Sequence, residues 1–268
     1  FKGMYESFVP EPLRHALGEY YTPDWLASHA LDVVGWGVSD SMLDPTCGSG
    51  TFLLEALRRR LCRPGSDTAS ANDLLVGLNG FDLNPLAVLA ARASLTVFLA
   101  GRLDPSHPIR LPVFLADAIN PAVRIGDFYE HSIQTEEGAF TFRLPSLLVE
   151  SHCFFEVFER LRDLIDGDLP ATMVVDLLSG EFPTTDWDSE SRAALVATIE
   201  SLVVLHQKRW NGIWCSIVAE RFAAGALAPV SFIVGNPPWV KWSHLPPEYA
   251  EFVKPNCLSM GVFSEDRW

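Results

Sequence analysis

The chain has 268 residues, 48% of them apolar and 11% aromatic, with only 20% charged, so it can bury a sizeable core and is too apolar for disorder. Its 20 Lys and Arg against 34 Asp and Glu leave a net charge of −14, which argues against a chain that grips nucleic acid through its own electrostatics. The apolar-rich run from Pro85 to Gly101 is broken by Arg92 and Ser94 and is too short for a membrane span. The five cysteines are scattered, with no Cys-x-x-Cys pair, and fit reduced thiols in a cytoplasmic protein better than a disulfide framework or a zinc site. No basic-then-apolar leader is visible. The ends at Phe1 and Trp268 read as cut, so the chain is expected to be a fragment of a longer protein.

Met42–Asp44 predicts a short strand running into a glycine turn. Thr51 to Leu61 predicts a helix, with Phe52, Leu53, Ala56, Leu57 and Leu61 near a 3.6-residue period and Arg58, Arg59 and Arg60 suited to its C-terminal end. Cys62 to Asp73 reads as a loop and Val76 to Phe81 as a second strand. Pro85 opens a helix to about Ala100, at the favoured first-turn position. Ile109 to Ala116 predicts a third strand, with Pro112 inside it hinting at an edge or a bulge. Such a βα alternation implies parallel strands with right-handed crossovers, an α/β doubly wound sheet.

The middle departs from this order. Asp127–Tyr129 and Ala139–Leu144 around a polar turn predict a β-hairpin. Leu147 to Ile165, Met173 to Leu178, Asp188 to His206 and Lys208 to Ala224 predict helices, and Ser231 to Val234 predicts a strand before Gly235. Three segments are therefore expected: 1–122 as an α/β core with an N-terminal helical segment, 123–228 as a mostly helical insertion, and 229–268 as the resumed core, cut short.

Four motifs fall at predicted strand ends. The first is Asp44-Pro45-Thr46-Cys47-Gly48-Ser49-Gly50-Thr51-Phe52. Its glycines permit a tight turn and close approach of a ligand, and the helix behind it offers free N–H groups. With no Lys-Ser/Thr and no third Gly, it is neither a P-loop nor the dinucleotide fingerprint. The second is Gly80-Phe81-Asp82-Leu83-Asn84-Pro85. Asp82, 32 positions after Gly50, can accept hydrogen bonds from ribose hydroxyls or simply cap the helix at Pro85. The third is Asp117 in Leu115-Ala116-Asp117-Ala118, placed where open sheets bind ligands, although a surface loop carboxylate fits the spacing nearly as well. The fourth is Asn236-Pro237-Pro238-Trp239. Two prolines fix an extended turn and leave its carbonyls free, Asn236 adds an acceptor and Trp239 a flat apolar face. Acceptors beside an aromatic ring suit a planar amine.

Taken together, and with Gly18-Glu19-Tyr20-Tyr21-Thr22-Pro23, these motifs resemble the S-adenosylmethionine-dependent DNA adenine-N6 methyltransferases of restriction-modification and related phage-defence systems, in their gamma motif order. The resemblance covers residues 18–120 and 230–242. It implies a Rossmann-like methyltransferase sheet, C-terminally truncated, with a largely helical insertion. It implies Asn236, Pro237, Pro238 and Trp239 as the catalytic turn. It also implies Tyr21, Thr22, Asp44, Thr46, Gly48, Ser49, Gly50, Thr51, Phe52, Asp82, Leu83, Asp117 and Ala118 as contacts of S-adenosylmethionine, with Asp82 on the ribose and Asp117 on the adenine amine. No metal is required. Thr22-Pro23 fits equally an ordinary helix N-cap with Pro at the first helical position. Implied partners are DNA, held mainly by a more basic region outside these residues, and specificity or defence-complex subunits; no membrane is involved. Methylation of RNA adenine or protein glutamine, and a non-catalytic docking module, are the competing readings. About 118 residues separate Asp117 from Asn236, more than one helix and loop need.

Overall fold

The computed structural model describes residues 22–135, 138–167, 169–183, 188–207 and 213–262. The chain divides into two compact units: Phe1–Ala118 with Ala228–Ala250, and Ile119–Leu227 with Glu251–Trp268. Residues 18–21 of the Tyr-Thr-Pro segment, Tyr21 included, lie outside the described residues.

In the first unit the helices are α1 (Asp24–Val34), α2 (Thr51–Leu61), α3 (Ala71–Leu75) and α4 (Pro85–Phe98), and the strands are β1 (Met42–Asp44), β2 (Leu78–Asp82) and β3 (Val113–Leu115). A further strand, which we number β7 (Phe232–Ile233) in chain order, completes the unit's sheet after the second unit has been traversed. All pairings are parallel and the order is β3-β2-β1-β7, with Met42 opposite both Leu78 and Phe232, and Gly80 opposite Val113. The first three strands extend the sheet to one side of β1 and β7 adds on the other. Strand order therefore reverses beside β1, the place where an open α/β sheet opens a crevice at its carboxyl edge.

Sequence periodicity becomes packing directly. Leu53, Ala56 and Leu57 of α2, and Val88, Ala91 and Leu95 of α4, are buried with Met42, Leu78 and Val113 in one core. Pro85 stands at the start of α4, and Asn84 is its cap, accepting from the Leu86 N–H at 3.0 Å. The sequence expectation for β3 is too long: Pro112 lies before the strand, and its carbonyl accepts from Gly80 N–H at 2.9 Å. The expected 62–73 loop holds a 3₁₀ turn at Ser66–Thr68 and the start of α3, which opens on a Ser70/Asp73 capping box. The start of α1 also differs from the capping expectation: Pro23 is the cap residue and Thr22 precedes it, buried.

Among the described residues of this unit, three carboxyl groups and one guanidinium are buried: Asp44, Glu55, Asp117 and Arg60. Arg60, at the C-terminal end of α2, sends its guanidinium to the carbonyls of Val38, Asp40, Leu74 and Val76 at 2.7–2.9 Å, beneath the Trp36 ring. Burial lowers its pKa, yet every bond it makes is to a carbonyl dipole that favours the cation.

The second unit has its own core. Strands β4 (Val123–Ile125), β5 (Phe128–Thr135) and β6 (Gly138–Pro145) form an antiparallel meander, one strand more than the expected hairpin. Its helices are α5 (Ser146–Val149), α6 (Phe154–Ile165), α7 (Ala171–Glu181), α8 (Ser189–Gln207) and α9 (Ile213–Gly225). Phe142, Leu144, Phe158, Ile199 and Phe222 are buried together, and the Thr198 hydroxyl of α8 exchanges hydrogen bonds with the Arg143 backbone of β6. The helix expected from Leu147 to Ile165 is two, α5 and α6, separated by a turn at residues 150–153. A last helix, α10 (Pro247–Ser259), has no counterpart among the sequence-predicted elements.

Candidate functional site

Because the four strands are parallel, their carboxyl ends share one edge of the sheet. Asp44 ends β1, Asp82 ends β2, Asp117 follows β3 and Asn236 follows β7. The topology thus brings all four motifs to one edge.

The glycine turn is built by backbone geometry. Gly48 and Gly50 have φ of +53° and +86°, which a side chain rarely adopts, and Gly50 caps α2. Cys47 N–H donates to the Phe81 carbonyl at 2.7 Å, which pins the turn to β2. Asp82 adds a second tie: one carboxylate oxygen accepts from Gly48 N–H and the other from Asn84 N–H, both at 2.8 Å. Of its two sequence readings, the helix cap is taken by Asn84, and Asp82 faces the turn instead. Leu83, beside it, is 49% exposed and offers an apolar shelf.

Asp44 is only 1% exposed and accepts from Thr46 N–H at 3.2 Å. Burial raises its pKa from the ordinary 3.8 to about 7; the Thr46 hydrogen bond opposes the rise and the neighbouring Asp82 charge adds to it. Burial, with Asp44 and Asp82 beside it, also pushes the Cys47 thiol well above its usual range, so this cysteine is a core residue and not a nucleophile. Ser49 is buried and Thr51 half-buried, while the Phe52 ring packs into the core.

The Asn236 turn is held against the glycine turn. Thr46 Oγ1 donates to the Asn236 carbonyl at 3.2 Å. Gly235 lies so close to the Asp44 carboxylate that a Cβ there would collide with it, and would stand 3.1 Å from Pro45 Cδ. The Asn236 side chain is half-buried, Pro237 and Pro238 are exposed, and Trp239 is 75% exposed. Trp239 Nε1–H donates to Asn236 Oδ1 at 3.2 Å. Asp117, 5% exposed, accepts from the Tyr249 hydroxyl at 3.0 Å, with Ala118 exposed next to it.

Tyr249 and the bridging role of Thr46 are what sequence reasoning missed. Pro246-Pro247-Glu248 before Tyr249 is a helix-start signal, but Pro255 inside the same helix hides the pattern. A separate hollow of about 520 Å³ is lined by Asp67, Ala69, Phe98, Gly101 and Arg102. The Arg102 guanidinium there is already donated to the carbonyls of Ser66, Asp67 and Ala69, so this hollow has no free cation and lies apart from the four motifs. Among the described residues no group of His, Cys, Asp and Glu has the arrangement to hold a metal ion, and no helix is long and apolar enough to cross a membrane.

Residues 17–96, which contain the glycine turn and Asp82, match the UPF0020 family, described as RMKL-like, methyltransferase domain. The chain carries a methyltransferase-like domain. Over 135 residues it is 33% identical to a protein described as adenine-specific methyltransferase PglX of Streptomyces coelicolor, a match that covers 43% of this chain and 11% of that protein. The chain thus spans about a tenth of this relative's length. A modification subunit of a putative type I restriction enzyme from Vibrio vulnificus YJ016 aligns at 25% identity and a TM-score of 0.32, over 47% of this chain and 25% of that one.

Proposed function

We propose that the chain is the cofactor-binding and catalytic core of a DNA adenine-N6 methyltransferase that uses S-adenosylmethionine. The observation that carries this reading is the junction of the two turns: the Thr46 hydroxyl bonded to the Asn236 carbonyl, and Gly235 packed on the Asp44 carboxylate. A cofactor loop and an amine-accepting loop tied together at one sheet edge suit a transfer between two bound groups. The donor set fits the cofactor. Asp82 stands at the glycine turn with its carboxylate on the Gly48 and Asn84 N–H groups, exposed Leu83 offers an apolar surface to a purine, and Asp44 and Asp82 make the turn acidic enough for a cation. S-adenosylmethionine supplies an electrophilic methyl on a positively charged sulfur.

The chain's own residues prepare the acceptor. The adenine amine is a poor nucleophile because its lone pair is delocalised into the ring. Asn236 Oδ1 and the Pro237 carbonyl accept its two hydrogens, which draws the nitrogen toward tetrahedral geometry and frees the lone pair. As methyl transfer puts positive charge on that nitrogen, the same oxygens stabilise it without reorganising. The open indole of Trp239 stacks on the base, which must leave the duplex to be reached. Asn236 Oδ1 already accepts from the Trp239 N–H, and an amide oxygen, with two lone pairs, can accept from the substrate amine as well. DNA, and specificity or defence-complex subunits, are the partners of this proposal, on the strength of the motif resemblance.

The test is methyl transfer from labelled cofactor to DNA, RNA and protein substrates by the whole protein. Transfer to DNA that falls about 10²–10³-fold in Asn236→Ala supports the proposal. Transfer to RNA or to glutamine alone, or activity that survives the substitution, overturns it.

A further inference from the structure

Asp117 is nearly inaccessible, and the phenol of Tyr249 is one of the groups on it: the hydroxyl donates to Asp117 Oδ2 at 3.0 Å from the first turn of α10. A buried carboxylate needs donors, and an aromatic hydroxyl beside it supplies both a hydrogen bond and an apolar cover. We infer that Tyr249 is an internal stand-in for the cofactor's adenine amine, displaced from Asp117 when the cofactor binds. This rests on the reading of Asp117 as the adenine-side acid given above. An amine N–H and a phenol O–H are both neutral donors to the same oxygen. Entry of the cofactor therefore exchanges one donor for another at Asp117 and leaves the carboxylate satisfied in both states. The exchange also has a cost: part of the affinity that the amine would contribute is used to break the Tyr249 bond. Tyr249 thereby selects for a purine that carries a donor, because a ring without one would break the phenol's bond to Asp117 and give none in return.

The inference differs in sign from a positioning role. If Tyr249 merely holds Asp117 in place for the cofactor, removing its hydroxyl weakens binding. If it competes, removing the hydroxyl strengthens binding. Calorimetry with S-adenosylmethionine on the 268-residue chain compares the unsubstituted protein, Tyr249→Phe, Asp82→Ala, and Asp117→Ala with and without Tyr249→Phe. Tyr249→Phe keeps the ring, and an unchanged thermal unfolding midpoint checks its fold. The expected result is affinity tighter by about tenfold in Tyr249→Phe, the size of one hydrogen bond to a charged group, and no effect of the same change once Asp117 is Ala. Unchanged or weaker binding in Tyr249→Phe overturns the inference, as does a gain that persists without Asp117. Binding that is lost in Asp82→Ala while Tyr249→Phe stays equal to the unsubstituted protein overturns the inference and leaves the proposed function standing. No binding by either the unsubstituted protein or Tyr249→Phe overturns both.

Discussion

Asp44 makes the molecule sensitive to pH in a direction opposite to that of a salt-bridged carboxylate. Its pKa rises on folding to about 7, so between roughly pH 4 and pH 7 the native state holds a proton that the unfolded chain has released. The stability this provides is fully present below the unfolded value and is lost as pH rises through the folded one. The loss is on the order of 4 kcal/mol for a shift of this size. Asp44→Asn has no such ionisation, so chemical denaturation is expected to show a flatter pH profile for it and higher stability than the unsubstituted protein at pH 8. A profile that stays parallel to the unsubstituted one would show that Asp44 does not titrate in this window. The same ionisation bears on the proposed cofactor. A cationic sulfonium favours ionised Asp44, so affinity for S-adenosylmethionine should rise from pH 6 to pH 8 relative to the neutral demethylated product, and Asp44→Asn should remove the difference. At this scale Asp44, Asp82 and Asn236 are legible in the sequence because each stands at the end of an apolar run with glycine or proline within two positions, whereas Asp117 has no such neighbour and its spacing fits a surface loop nearly as well. The bond from Thr46 to Asn236 and the role of Tyr249 are not, since a hydroxyl that bonds a carbonyl 190 positions away, or a carboxylate 132 positions away, leaves no local pattern.

At the scale of elements, α2 shows how periodicity reads well and charge reads badly. Phe52, Leu53, Ala56 and Leu57 face the core as a 3.6-residue period requires. Arg58 and Arg59 both pair with the buried Glu55 carboxylate at helical i,i+3 and i,i+4 spacing, and Arg59 also reaches Asp32 and the Ser28 carbonyl. Arg60 turns the other way and joins the carbonyls of four residues on the segments flanking β1 and β2. Helical phase alone puts position 60 on the buried side with 53, 56 and 57; the run of three arginines obscures it. Arg60→Met, similar in length but without donors, is expected to cost about 3 kcal/mol or more in chemical denaturation, because four carbonyls lose their partner. A cost below 1 kcal/mol would mean that water replaces the guanidinium. Gly235→Ala is an equally local test. Its Cβ would strike the Asp44 carboxylate, so the Asn236 turn has to move away from the glycine turn. Methyl transfer should fall by at least tenfold, with cofactor affinity retained if the glycine turn itself is unmoved. Parallel strands were read with their ends misplaced where proline intervenes, and α10 was hidden by Pro255, because a proline marks a boundary locally while the surrounding packing decides whether the helix runs on.

Over the whole molecule the charge is −14, and among the described residues many cations are already engaged. Arg60, Arg92 and Arg102 spend their guanidinium groups on backbone carbonyls within the first unit. Arg58, Arg59, Arg124, Arg143, Arg160 and Arg192 are each ion-paired with an acidic side chain. Phosphate binding gains its free energy by releasing counterions from DNA, and each cation already matched to a carboxylate must first be freed to take part. The 268-residue chain is therefore expected to bind a labelled duplex no more tightly than about 10⁻⁴ M at physiological salt, the weak end of non-specific binding. It should also show a shallow slope of log affinity against log salt, where a protein making 6–10 phosphate contacts loses roughly 10³–10⁵ in affinity between 50 and 200 mM. Fluorescence anisotropy across that salt range measures both quantities. The adenine chemistry proposed here and this weak duplex binding are compatible, since Asn236, Pro237 and Trp239 address a single base out of the stack by hydrogen bonds and stacking, neither of which needs a basic surface. Sub-micromolar binding with a steep salt slope would place the groove that holds DNA on these residues and make the acidic count a misleading guide to the surface that DNA meets.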